Sequence, residues 1–144
     1  MDYRELAIEL TESFSRPRFA KREPEHMHGE MGIMMYLQMN KIKNGVESFS
    51  SGDLSKALEL STGRMAIALN GLEKKGYINR KTDYVDRRRV IVSITEEGSA
   101  FAEAHHEKGL DRFEQMLRAL GEEDAVEFVR ITKRIAEQFL NGNK

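Results

Sequence analysis

The sequence predicts a mainly α chain with one small β-hairpin, an α+β class in which a winged helix-turn-helix core is flanked by helices at both ends. Three observations carry that prediction. Apolar residues recur at helical spacing along much of the chain. Two short amphipathic segments in the middle are separated by only about three residues, the arrangement of a helix-turn-helix. After them, Val90, Val92 and Ile94 alternate with Arg89, Ile91 and Ser93, a strand pattern that pairs with a β-prone stretch at Tyr77–Lys81.

The elements follow in order. Tyr3, Leu6, Ala7, Leu10 and Phe14 form one apolar stripe, a first helix. Both prolines, Pro17 and Pro24, fall in residues 15–26 and break it. A second helix fits 28–43, with Met31, Met35, Met39 and Ile42 on its stripe, Tyr36 nearby and Asn44-Gly45 as its stop. Ser50 with Asp53 three residues on resembles a capping box. It opens a short helix with Leu54, Ala57 and Leu58 on its apolar side. Leu60-Ser61 is a turn and a fresh N-cap; Met65, Ala68, Leu69 and Leu72 line the inside of the next helix, and Gly76 closes it. The linker between the two strands, about 82–88, is too long for a two-residue turn and is highly charged, so it forms an extended loop. Thr95 caps a long helix with Glu96 and Glu97 in its first turn and the stripe Leu110, Phe113, Leu117, Leu120. A last helix after Gly121 carries Phe128, Ile131, Ile135 and Phe139 on one side.

Composition narrows the function. Charged residues make up 33% of the 144, and no run approaches the roughly 18 apolar residues of a membrane span. The start, MDYRELAIEL, lacks the basic and apolar regions of a signal peptide, so a cytoplasmic protein without a membrane partner is expected. Absence of cysteine excludes disulfides, thiolate catalysis and a thiol-oxidation switch. The net charge of −1 conceals an asymmetry: residues 52–95 hold nine Lys/Arg and five Asp/Glu, a balance of +4 that leaves −5 for the rest. A basic middle in an acidic chain suits local contact with a polyanion. No phosphate loop, nucleophile motif or HExxH sequence is present, so neither an enzyme nor a cofactor is expected.

In a winged helix the second short helix enters the major groove and the hairpin loop lies on the backbone or in the minor groove. That gives the run Arg87, Arg88, Arg89 a purpose, because guanidinium forks match phosphate oxygens and narrow minor grooves. Asp86 reads as the partner that holds one of these arginines in a reaching rotamer. A solvated hairpin with a local ion pair is the plain alternative.

At these residues the chain resembles a family. LEKKGYINR (72–80), DRR (86–88), alternating apolar residues and ITEEG (94–98) are similar to the centre of MarR-type winged-helix regulators. The resemblance implies a single domain over 1–144, with a DNA-binding core at about 46–95 and dimerisation helices at about 1–25 and 96–144. It implies an obligate homodimer on a pseudopalindromic double-stranded DNA operator, acting as a repressor that a small molecule releases. Without cysteine, a small apolar or anionic ligand is the expected effector.

In the recognition helix the outward positions are Thr62, Gly63, Arg64, Ala66, Ile67 and Asn70. Asn70 suits a bidentate contact with adenine, Arg64 guanine or phosphate, and Ala66 or Ile67 a thymine methyl. The family often has a polar or basic residue at the places of Ile67 and Gly71, so fewer base hydrogen bonds and more shape readout are expected. A small shift of helix phase would instead bury Ile67. Ser50, Ser51 and Ser61 offer hydroxyls or helix N-terminal amides to phosphate, besides plain capping. Arg80 has two open roles, a phosphate contact or a brace for Asp86, and Arg89, at the start of a strand, is the arginine most apt to point away. The resemblance also places a ligand pocket beside the Met-rich helix, with His28, Met31, Met35 and Tyr36 as candidates; ordinary core packing explains the same methionines. His26, His28, His105 and His106 include no i, i+4 pair, so no metal site is expected. Two rival functions remain: a winged-helix module that binds proteins and not DNA, against which the Asp-Arg-Arg-Arg wing argues, and an enzyme with a site in a Met-lined cleft.

Overall fold

A computed structural model describes residues 1–14 and 27–141, and the expected break at Pro17 and Pro24 lies outside them. Helix α1 spans Tyr3–Phe14. A π-helical turn, Met27–Met31, leads into α2, Gly32–Asn44. Then come β1 (Phe49–Ser50), α3 (Ser51–Leu58), α4 (Thr62–Lys74), β2 (Ile78–Thr82) and β3 (Val90–Ile94). Helix α5 covers Glu96–Leu120, α6 covers Glu122–Ile135, and a π-helical turn, Ala136–Asn141, follows. The chain forms two compact units: one runs to Glu103, and the other joins α1 to the chain from Ala104 onward.

The first unit is the winged helix. Met65, Ala68, Leu69 and Leu72 of α4 are buried with Leu54 of α3, Ile33, Met34 and Leu37 of α2, Ile78, Val92 and Ile94 of the strands, and Ala102 of α5. The strands pair antiparallel in the order β1-β3-β2, with Ile78 opposite Ile94 and Arg80 opposite Val92. The sequence reading anticipated a two-stranded hairpin. The third strand, Phe49–Ser50 against Val92 and Ile91, is two residues long, too short to show a period.

Local chemistry sets the joints. The Oγ of Ser50 accepts from the Asp53 amide at 3.0 Å and that of Ser61 from the Arg64 amide at 3.2 Å, so both serines are N-caps. Between α3 and α4, Glu59 takes the left-handed conformation at φ 55°, uncommon for a residue with a Cβ. Thr95 ties the hairpin to α5: its Oγ1 donates to the Gly76 carbonyl at 2.7 Å and accepts from the Gly98 amide at 3.0 Å. Gly76, at φ 81°, turns the chain from α4 into β2. Gly98 is required for closeness: a Cβ there would run into the Tyr77 carbonyl oxygen and lie 2.9 Å from Ile94 Cγ1.

Helix α2 departs from the expected phase. Ile33, Met34, Leu37 and Gln38 are buried, Met31, Met35 and Tyr36 are half-buried, and Ile42 is exposed. Apolar residues occupy most of positions 31–39, so several stripes fit the sequence and the packing partners select one. Gln38 is tolerated inside because the Ser99 hydroxyl donates to its Oε1 at 2.5 Å.

In the second unit Ala7 and Leu10 of α1 pack with Leu110 and Leu117 of α5 and Ala125 and Val129 of α6; Tyr3, Leu6 and Phe113 are partly buried around them. Polar clamps add to this core: Arg4 binds Glu107 and, at 2.6 Å, Asp111, and the Arg118 guanidinium lies 4.8 Å from the Tyr3 ring centre. Helix α6 buries Ala125, Val129 and Thr132. The stripe read from the sequence, Phe128, Ile131, Ile135 and Phe139, is instead exposed, as is Leu120. Among the described residues no helix is long and apolar enough to cross a membrane.

Candidate nucleic-acid interface

Helix α4 presents the expected outer row. Thr62, Gly63, Arg64, Ala66, Ile67 and Asn70 are exposed while Met65, Ala68, Leu69 and Leu72 are buried. Ile67, at 74% exposure, is not a core residue. The row offers an amide, a guanidinium, a methyl and a branched apolar side chain, a set able to address base edges in a major groove. Ser61 and Ser51 stand at the N-termini of α4 and α3, whereas the Ser50 side chain is buried in its capping bond.

Seven residues, 83–89, connect β2 to β3 and form the wing. The Asp83 amide donates to the Arg89 carbonyl at 2.8 Å, and the Arg89 amide to the Asp86 carbonyl at 3.0 Å. Asp86 Oδ1 accepts from the Arg88 amide at 3.1 Å and from Arg88 Nε at 3.2 Å. Those bonds, the backbone one first, hold the Asp86 carboxyl below its ordinary range. Asp83 Oδ2 pairs with Arg89 Nη1 at 3.4 Å. Both aspartates are thus engaged in shaping the loop, which leaves a cationic tip. Arg88, though paired, has a side chain 92% exposed, and Arg87 makes no ion pair among the described residues. Tyr84 and Val85, 98% and 91% exposed, stand beside these arginines. The sequence reading passed over them, because a tyrosine and a valine in a charged loop carry no periodic signal.

Arg80 engages neither Asp86 nor any other wing carboxylate. Its Nη2 donates to Asn70 Oδ1 at 2.7 Å and to Glu73 Oε1 at 2.8 Å, joining β2 to the outer row of α4. The bond from Arg80 is the main reason the Glu73 carboxyl lies below its ordinary range. Glu73 was also missed from the sequence; its one signal is an acid at i+3 from Asn70 within a basic stretch.

The proposed pocket residues are dispersed. Met31 lines a cleft of about 620 Å³ with Met34, Leu60, Ile67, Leu72 and Phe101. Met35 and Tyr36 do not line it; Tyr36 packs on Phe49 with ring centres 5.2 Å apart. The side chain of His28 lies outside the described residues. Glu30 and Lys75 stand at this cleft, joined by a bond of 2.5 Å that raises the Lys75 pKa. A Cβ at position 71 would meet Glu30 Oε2 at 2.5 Å, so Gly71 gives that carboxylate its room. No group of three or more His, Asp or Glu among the described residues is placed to hold a metal ion.

Comparison with known proteins agrees with this geometry. The family described as "Winged helix DNA-binding domain" matches residues 30–113. The HTH-type transcriptional regulator YwhA of Bacillus subtilis (strain 168) is 28% identical over 114 residues, covering 79% of this chain and 78% of YwhA. The crystal structure of MarR superposes with a TM-score of 0.57 at 25% identity, over 83% of this chain and 80% of that one. The S. aureus MepR–DNA complex superposes with a TM-score of 0.50 at 27% identity, over 74% of this chain and 75% of MepR. With its helix-turn-helix, its three-stranded wing and these relatives, the chain belongs to the winged helix DNA-binding domain family and is a MarR-type DNA-binding transcriptional regulator.

Proposed function

We propose that the protein is a homodimeric repressor that reads a pseudopalindromic operator through α4 and the wing and is released by a small molecule. The observation that carries this reading is the pairing of one outward row on α4 with a wing whose aspartates are occupied and whose Arg87 and Arg88 are exposed. Arg64, Ala66, Ile67 and Asn70 meet base edges; Arg87 and Arg88 meet phosphate or the minor groove. Ser51, Ser61, Thr62 and Gly63, at helix starts, offer backbone amides to phosphate.

Dimerisation is supported by the apolar side of α6. Phe128, Ile131 and Ile135, with Phe139 beyond, are exposed in the protomer although each is large and hydrophobic. A two-fold pair of protomers matches the symmetry of a palindrome, and two recognition helices about 34–36 Å apart meet successive major grooves. Ligand response is supported by the cleft against α4, whose wall is apolar at Met31, Met34 and Phe101. A ligand that favours a helix spacing unfit for DNA shifts the population away from the bound state, by no more than its differential affinity.

The test is a fluorescence-anisotropy titration of a duplex from upstream of the protein's own gene, at several salt concentrations and against scrambled competitor. Tight, competitor-resistant binding that weakens steeply with salt is expected. Binding no tighter than to scramble, for this duplex and for a pool selected from the genome, would contradict the reading and favour a protein-binding winged helix.

A further inference from the structure

We propose that Glu73 and Arg80 decide which base Asn70 reads, by holding its amide so that only the nitrogen end is offered to DNA. The inference rests on the DNA-reading role of α4. Asn70 and Glu73 are three apart on one helix, so their side chains share a face. Arg80 reaches them from β2, and its Nη2 donates to both, to Asn70 Oδ1 at 2.7 Å and Glu73 Oε1 at 2.8 Å. That nitrogen carries two hydrogens, and the two acceptors occupy both.

A guanidinium donates and never accepts. The end of the Asn70 amide that faces Arg80 is therefore its oxygen, and the end left over is the NH2 group. An unrestrained asparagine reads adenine with both ends, accepting from N6 and donating to N7. With its oxygen turned toward Arg80, which takes one of its two lone pairs, Asn70 leads with its NH2 group and reads DNA first as a donor. Guanine, which shows two acceptors in the major groove, suits it; cytosine, which shows a donor, does not.

Glu73 is the positioning residue of the set. Its carboxylate would repel phosphate, so it gains nothing by touching DNA. It keeps Arg80, whose side chain is only 26% exposed, on Asn70 and off the phosphate backbone. Removing Glu73 frees Arg80 for a phosphate and frees the Asn70 amide to rotate. Non-specific affinity then rises while base selectivity falls, a combination that plain loss of structure does not produce.

The experiment measures binding of the full-length chain to a selected duplex and to its three single-base variants at the pair under Asn70, over a salt series. It compares the wild type, Glu73→Ala, Glu73→Gln, Asn70→Ala and the double variant Asn70→Ala/Glu73→Ala. The wild type is expected to prefer guanine at that pair. Glu73→Ala should lose that selectivity by roughly five- to hundredfold or shift it to adenine, while its salt slope steepens by about one phosphate. Glu73→Gln, which keeps an oxygen acceptor, should retain more selectivity than Glu73→Ala. The double variant should be no less selective than Asn70→Ala, because one interaction is removed twice. Thermal midpoints show that each variant is folded. Selectivity that survives Glu73→Ala, or losses that add in the double variant, would overturn this inference and leave DNA reading by α4 intact. A wild type with no base preference at any pair would overturn both.

Discussion

Ile131 and Ile135 test the dimer without touching the DNA-reading row. They are 45% and 43% exposed in the protomer, and neither belongs to the core that α6 builds with α1 and α5. Full burial of an isoleucine is worth about 1.5–3 kcal/mol, so covering the exposed part of each contributes about 1 kcal/mol. Two side chains from each of two protomers bring the interface about 4 kcal/mol. Ile131→Glu/Ile135→Glu removes that contribution and sets four carboxylates in an apolar seam, each at a desolvation penalty of several kcal/mol. The smaller term alone weakens association about a thousandfold. Sedimentation velocity at micromolar protein should show a dimer for the wild type and a monomer for the double variant, with unchanged far-UV circular dichroism. A double variant that sediments as a dimer would refute the assignment of this face.

Arg87→Ala should weaken binding to every duplex alike and lower the salt slope by about one phosphate, as read by anisotropy; a change confined to one sequence would mean that Arg87 reads bases. Gly98→Ala forces a methyl onto the Tyr77 carbonyl oxygen, a backbone atom that cannot swing aside. It should cost about 1–3 kcal/mol and lower the thermal midpoint by roughly 3–10 °C, and an unchanged midpoint would contradict the tight junction. Asp86 in the folded wing has a lowered pKa, so its contribution is complete above the ordinary aspartate value of about 3.9 and is lost as pH falls through the lower folded value. Wing order, followed by the Arg88 amide resonance, should therefore be flat from about pH 8 to pH 5 and fail only in stronger acid; loss near pH 6 would place its cause elsewhere. Lys75 has the opposite sign: its raised pKa keeps the ammonium charged below about pH 10.4, so on the alkaline side its bond to Glu30 is lost only as pH rises through the higher folded value.

What could be read from the sequence followed from how many arrangements each segment allows. In α4 the apolar residues Met65, Ala68, Leu69 and Leu72 leave a mostly polar and small remainder, so the segment favours one helix phase; Ile67 is the residue that left a second phase open, and the structure places it outside at 74% exposure. In α2 nearly every residue from Met31 to Met39 is apolar, and only the surrounding strands and helices select Ile33, Met34 and Leu37 for the core. Helix α6 carries two apolar sides. Size pointed to Phe128, Ile131 and Ile135, but the protomer buries the smaller Ala125 and Val129, since closely packed helices leave room for small side chains. An exposed stripe that a partner chain would cover has the same period as one packed in the core. The Arg80 clamp joins a strand to a helix and belongs to no local repeat, so the sequence shows Asn70, Glu73 and Arg80 as three charged or polar residues without showing that they meet. The wing was legible through its arginines, while the division of labour between Asp83 and Asp86 came only with the loop geometry.

The most direct measurement of the central claim is a hydroxyl-radical footprint of the protein on a duplex selected from genomic fragments. Two protected stretches on one side of the helix, centred one turn, about 10 base pairs, apart, with added protection where the wings reach, are predicted. A single protected stretch, or none on a duplex that the protein retains, would contradict a two-fold dimer reading successive grooves through α4.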